Sequence, residues 1–355
     1  MTGPFGVYVH VPFCAARCDY CAFATWTDRM HLIDDYVDAL VADVRSAVEA
    51  GLPVATTVFV GGGTPSLLPG DQLGRVLDAV PRTVGAETTI ECNPDTVTAE
   101  LVTAYVDHGV TRVSLGVQSM TPHVLAALGR THDPANVERA VALVRDAGLP
   151  TFNLDLIYGA VGETPDDWAR TLDAALALEP PHVSAYGLTV EPGTPLAATP
   201  ERHPDDDDQA GKYEQADEAL AAAGLANYEI SNWARPGHEC RHNLLYWAQG
   251  DYRGFGCAAH SHDGGRRWWN VRTPERYIAL VTAGEPTESA AEELDGPTRT
   301  FERLELALRT RDGVPASALD ATDLDGLVVG RGDRVVLTRA GRLLANEIAM
   351  RLRTD

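Results

Sequence analysis

The sequence has no run of the roughly 18 consecutive apolar residues that a membrane-spanning helix needs, and its start, "MTGPFGVYVHVPFC", has neither the basic region nor the apolar stretch of a secretory signal. Both absences argue against a membrane or secreted protein, and the cytoplasm is the expected location. Positive charge is scarce: 29 Lys+Arg stand against 51 Asp+Glu, a net charge of −22. Such a chain repels phosphate backbones, so nucleic acid is not an expected partner. Cysteine is also scarce, at six in 355 residues, too few for a disulfide scaffold. Hydrophobic residues make up 45% and charged residues 23%, the usual balance of a chain with a substantial core. The length suits one large α/β domain and a smaller one.

Short β-rich runs alternate with helical stretches. "ATTVFVGGG" (55–63), "TTIECNP" (88–94), "TRVSLGVQ" (111–118), "TFNLDLIYG" (151–159) and "HVSAYGLTVE" (182–191) are predicted strands. Between the first run, Gly6 to Val11, and these lies the amphipathic stretch 31–51, with Ile33, Val37, Leu40, Val41, Val44 and Val48 on one helical face and Gly51 as its stop. Repetition of strand and helix implies parallel strands with helical crossovers, which fits a barrel or an open doubly wound sheet equally well. The unusual residues stand at the strand ends: three glycines at 61–63, Glu91, Gln118 and Asp155. In either architecture ligands bind beyond the carboxyl ends, so these positions are expected to converge. From about residue 192 the pattern changes. An aspartate run reads as the solvated flank of a helix, 228–270 reads as irregular and rich in Trp and His, and the end as a short strand turning into a helix.

Three of the six cysteines crowd into "YVHVPFCAARCDYCAFATW", where Cys14, Cys18 and Cys21 are separated by three residues and then two. A structural zinc site closes a tetrahedron of four ligands and would need a fourth from elsewhere, such as Cys92 or His10. A cubane iron–sulfur cluster held by three thiolates leaves one iron open for a substrate. The spacing favours the cluster, because zinc knuckles usually pair C-x2-C with a distant second pair.

C-x3-C-x2-C after a first strand resembles the cluster loop of the radical S-adenosylmethionine (SAM) enzymes, and "GGGTPS" at 61–66 resembles their glycine motif. "IECNPD", "SLGVQS", "LGRTHD", "DLIYG", "SAYGLTVEPGTP" and "YEISNWARPGHECRHNLLYW" extend the likeness to the coproporphyrinogen III oxidase-like branch, and the last looks like the HNxxYW motif of haem chaperones of the HemW type. The resemblance implies a partial (β/α)6 barrel over residues 1–230, with the haem-motif segment and a smaller α+β, winged-helix-like domain over 231–355. It implies a [4Fe-4S] cluster on Cys14, Cys18 and Cys21, with Tyr20 and Phe23 packing around it. SAM would contact Tyr8, Gly62, Gly63, Thr64, Glu91, Gln118, Arg130 and Asp155. Haem would be held through His242, Tyr246 and Trp247, with His238, Cys240, His260 and His262 as competing ligands; His10 would be a neighbour of the cluster or a packing residue.

Implied partners are haem, client respiratory haem proteins at the cytoplasmic membrane face, and an electron donor. Two departures count against the decarboxylating oxidase of the same branch: Phe23 stands where that enzyme has a fourth nearby cysteine, and Cys14 lies too near Met1 for its long N-terminal arm. "YGAVGET" (158–164) departs from the Leu-Pro usual after Tyr-Gly, a loop change that leaves Asp155 intact. Oxidative decarboxylation of coproporphyrinogen III is the alternative activity, and a zinc-bearing interaction protein the alternative without redox chemistry.

Overall fold

The computed structural model describes residues 3–354. Six parallel strands, β1 (Phe5–Val11), β2 (Ala55–Gly62), β3 (Arg82–Cys92), β4 (Arg112–Gln118), β5 (Thr151–Tyr158) and β6 (His182–Gly187), lie side by side in chain order. Their crossovers carry α1 (Ile33–Glu49), α2 (Gly70–Ala79), α3 (Ala99–Asp107), α4 (Pro122–Ala127), α5 (Ala135–Asp146) and α6 (Pro165–Ala177). After α7 (Asp206–Ala222), β7 (Ala226–Glu229) and β8 (Asn232–Ala234) add antiparallel to the β6 edge. On the other edge β9 (Asp251–Phe255) runs parallel to β1, and β10 (His260–Asp263), β11 (Arg266–Asn270) and β12 (Glu288–Glu293) follow antiparallel. The edges of the six-stranded core therefore carry further strands instead of pairing with each other, and the barrel is partial.

Strand periodicity fixes what faces where. The outward set, including Val7, Val9, Val58, Val60, Ile90, Val113, Leu115, Leu154, Leu156 and Val183, is buried beneath the helices as one apolar core. Each such side chain contributes about 1.5–3 kcal/mol relative to exposure. In α1 the core takes Val37, Leu40, Val41 and Val44, while Val48 at the last turn is left exposed. The helix starts are built in the sequence: Thr164 and Asp167 form a reciprocal capping box on α6, and Asp205 caps α7 with three aspartates in its first turn.

The chain beyond 230 is divided differently from the sequence expectation. Strands β8 to β12, α8 (Arg241–Trp247) and α9 (Pro274–Ala283) belong to the large sheet and its packing, and the region read as irregular holds β8 and then, in succession, the three strands β9, β10 and β11. These strands are four or five residues long and glycine-flanked, which hides them from a periodicity reading. A separate small core begins with α10 (Gly296–Leu308). It packs Leu308, Val314, Leu319, Leu324 and Ile348 around a three-stranded antiparallel sheet of β13 (Val314–Pro315), β14 (Val328–Arg331) and β15 (Arg334–Leu337), closed by α11 (Arg339–Leu343) and α12 (Ala345–Ala349). No helix among the described residues is long and apolar enough to cross a membrane.

Candidate cluster and cofactor site

The cysteine loop leaves β1 at its carboxyl end and returns on itself. Cys14 N donates to Trp26 O (3.1 Å) and Trp26 N to Pro12 O (2.8 Å), so residues 14 to 25 form a closed excursion. The glycine motif is zipped to its stem: Gly63 N donates to Val11 O (2.7 Å) and Thr64 N to Phe13 O (2.8 Å). A side chain at Gly63 would meet Phe13 O at 2.6 Å, and Gly62 has φ +112° with the His10 ring 2.5 Å from where a Cβ would stand. Only a bare backbone can approach this closely. Thr64 Oγ1 reaches Cys14 Sγ at 3.6 Å, and Arg130 Nη1 reaches Cys18 Sγ at 3.5 Å. The far side of the loop is held by Asp19, whose N donates to Leu128 O (3.4 Å), whose carbonyl accepts from Leu196 N (3.0 Å), and whose carboxylate pairs with Arg202 (2.7 Å). Tyr20 packs with Val124, Leu128, Ile157 and Leu196, as a loop shield should; Phe23 is 63% exposed and does not.

Burial raises the Cys14 thiol, as does the nearness of Cys21 and Cys18, so the three sulfurs share one electrostatic neighbourhood. A cationic centre would be needed to hold them as thiolates together. Among the described residues no three His, Cys, Asp or Glu side chains are grouped as ligands of a single metal ion. A cubane spreads its thiolates over separate irons. The fit to an anionic cluster and to an amino-acid cofactor is visible in Arg130: one guanidinium nitrogen faces Cys18, one donates to Gly116 O (2.8 Å), and Nε is buried without a partner.

The strand ends do converge. Glu91 Oε2 accepts from Gly62 N (3.1 Å), and burial followed by the Asp155 charge raises the Glu91 carboxyl from its ordinary 4.5 to about 7. Asp155 accepts from Ser114 Oγ (2.7 Å) and Asn153 Nδ2 (2.8 Å), which aim the carboxylate into the barrel mouth. Burial raises its pKa, and these hydrogen bonds oppose the rise. Gln118 has φ +61° at a register shift against β5, a strained residue at the end of β4. The Tyr8 hydroxyl donates to His10 Nδ1 (3.1 Å), and His10 Nε2 donates to Ala24 O (2.9 Å), which fixes the neutral tautomer and ties the loop to β1. Burial accordingly lowers His10 to about 4. Of the eight cofactor positions inferred from the sequence, Glu91 and Asp155 line one cavity and feel each other's charge, and Tyr8, Gly62, Gly63, Thr64 and Arg130 are bound to the same loop and strand ends.

The HNLLYW stretch lies at the opposite end. Helix α8 plugs the amino-terminal floor of the barrel, where Glu87 accepts from Arg241 N (3.1 Å) and His242 N (3.0 Å) and stands 3.7 Å from buried Arg112. His242 is fully buried; Nδ1 is bonded to Thr57 Oγ1 (2.9 Å) and Nε2 to the Tyr246 hydroxyl (2.8 Å), and burial lowers its pKa to about 3. Gly6 leaves room for it: a Cβ there would stand 3.2 Å from the His242 ring. Trp247 ends the helix, half-buried. The structure thus groups His242 with Tyr246 beneath the barrel and apart from the cysteine loop above it.

Residues 8–175 match the radical SAM superfamily. The chain is 43% identical to heme chaperone HemW of Mycobacterium tuberculosis (strain CDC 1551 / Oshkosh), over 98% of this chain and 95% of that protein. It belongs to the HemW family. The HemW of Escherichia coli (strain K12) is 37% identical over 97% of each chain, and that of Bacillus subtilis (strain 168) 32% identical over 96% and 97%. Among solved structures, coproporphyrinogen III oxidase (HemN) from Escherichia coli superposes with a TM-score of 0.85 at 23% identity, covering 98% of this chain and 89% of that one, which establishes the shared fold.

In this HemW-family chain the residues missed by sequence reasoning are those that hold the site residues in place. Asn153 Nδ2 also donates to Ser114 Oγ (2.7 Å) and Ser184 Oγ (2.9 Å), and His182 Nδ1 donates to Asn153 Oδ1 (2.6 Å). Together they line a cavity of about 150 Å³ under Glu91 and Asp155. The available signal was the strand alternation itself, since Asn153 stands two residues before Asp155 and therefore on the same face.

Proposed function

We propose that this chain carries one [4Fe-4S] cluster on Cys14, Cys18 and Cys21, binds SAM across the carboxyl ends of β1 to β5, and delivers haem to respiratory haem proteins at the cytoplasmic face of a membrane. The reading is supported by 43% identity along almost the whole length to a heme chaperone, together with the cysteine loop, the glycine cradle and the Glu91/Asp155 pair at one barrel mouth. When bound and reduced by an electron donor, the cluster supplies one electron to the sulfonium of SAM. The chain's own part is positioning. Arg130 Nε offers a donor for a carboxylate, Gly62 and Gly63 let backbone approach an amino group, and Asp155, held by Ser114 and Asn153, accepts from ribose hydroxyls. Glu91, Gln118, Thr64 and Tyr8 complete the cradle. Direct ligation of haem iron by His242 Nε2 requires the Tyr246 hydroxyl to leave, with Trp247 alongside.

The test is anaerobic reconstitution followed by incubation of the haem-loaded protein with an apo haem protein. Transfer of haem, seen as the client's own absorption spectrum, is expected. Sustained conversion of coproporphyrinogen III to protoporphyrinogen would overturn the chaperone reading in favour of the oxidase.

A further inference from the structure

Four histidines and one cysteine between residues 238 and 262 have the chemistry to ligate haem iron, and all but one of them are buried or hydrogen-bonded. His238 Nδ1 is bonded to Thr151 Oγ1 (2.9 Å). Cys240 is buried with its thiol against Glu87 (3.5 Å). His242 has both ring nitrogens bonded, and His262 is buried, its Nδ1 bonded to Gly250 O (3.1 Å) and its Nε2 enclosed without a partner. His260 differs in being open to solvent. It is exposed, its ring has no hydrogen-bond partner among the described residues, and it is stacked on Trp269 with centroids 5.5 Å apart and an interplanar angle of 26°.

The register puts that ring in a telling place. Tyr8 pairs with Phe59 on one side and Gly254 on the other, His262 pairs with Tyr252, and His260 pairs with Trp269. Residues two apart share a face. Tyr8, His10, Tyr252, His260 and Trp269 therefore all lie on the inward side of one continuous sheet, the side that carries Glu91. His10, on that same face, holds the cysteine loop through Ala24 O, next to exposed Phe23.

Resting on the haem reading above, we infer that the β10–β11 wing is the haem site, with His260 as axial ligand, its ring orientation set by Trp269, and the porphyrin lying on the sheet face beside the cysteine loop. Imidazole nitrogen suits haem iron, and an aromatic neighbour offers apolar contact to the macrocycle. In this arrangement the His242 plug shapes the barrel floor and leaves the iron to a residue that needs no internal bond broken.

The test is anaerobic titration of the full-length protein with haem, read in the Soret region, for wild type, His260→Ala, Trp269→Ala and His242→Gln, with thermal melts to confirm that each folds. His260→Ala is expected to weaken haem binding at least tenfold and abolish the histidine-ligated spectrum, and Trp269→Ala to weaken it severalfold. His242→Gln is expected to retain the wild-type spectrum. Free imidazole added to His260→Gly should restore it. Wild-type affinity and spectrum in His260→Ala would remove this site and leave the haem reading standing; no haem binding by the wild type would remove both.

Discussion

At the scale of single residues, close approach and charge state decide what the mouth of the barrel can do. Gly63 is pinned between two backbone carbonyls, so Gly63→Ala should displace the cysteine loop, cost about 1–3 kcal/mol of stability, and lower the iron retained after reconstitution, measured per chain; full iron content with an unchanged melting temperature would contradict the zipped-loop account. Glu91 makes a pH prediction. Its folded carboxyl holds its proton to about 7, whereas the unfolded chain releases it near 4.5. In that window the folded state binds more protons, so stability from this group is present at low pH and is lost as pH rises toward 7. Glu91→Gln should therefore melt progressively higher than the wild type as pH is raised from 5 to 7, and a constant difference would show that the carboxyl is not shifted. The Glu91 and Asp155 positions were legible in the sequence because the motifs "IECNPD" and "DLIYG", which carry the family resemblance, contain them. Their support was not, because Ser114, Asn153 and Ser184 are ordinary strand residues until three strands are laid side by side.

At the scale of elements, the plug and the wing are what the sequence concealed. Strand and helix alternation up to residue 187 gave β2 through β6 and α1 within a few residues, apart from the start of β3, because each element is built from contacts near in sequence. Whether the sheet closes could not be read, since closure depends on β9 joining β1 from some 240 residues away. For the same reason the HNLLYW stretch was legible as a motif but not as a floor. Glu87 joins two parts of the floor, capping the start of α8 and facing Arg112, both nearly free of solvent. Removing one partner of such a pair leaves a buried charge uncompensated, which costs about 3–5 kcal/mol. Glu87→Ala should lose stability on that order in denaturant unfolding and make the amides of α8 exchange faster. A loss below about 1 kcal/mol would mean that the plug is held by apolar contacts alone.

At the scale of the whole molecule, the large sheet that carries the cysteine loop is joined to a small unit with its own core by a main-chain bond from Arg311 N to Tyr228 O (2.9 Å) and by a set of ion pairs. Asp217 on α7 accepts from Trp233 Nε1 (2.8 Å) and pairs with Arg339 (2.7 Å) and Arg342 (2.9 Å) of the small unit. Asp217→Ala strands those guanidinium groups at a cost of about 1–3 kcal/mol. It should expose the arginines beyond residue 296 to trypsin well before the barrel is cut; an unaltered cleavage order would contradict an ionic joint. The proposed cluster would have one iron that the chain leaves open above β1. That central claim is tested most directly by electron paramagnetic resonance of the reduced, anaerobically reconstituted protein before and after SAM is added. A changed cluster signal on SAM addition, lost when Cys14, Cys18 or Cys21 is replaced by alanine, is the predicted result. A cluster signal that SAM leaves untouched would contradict it.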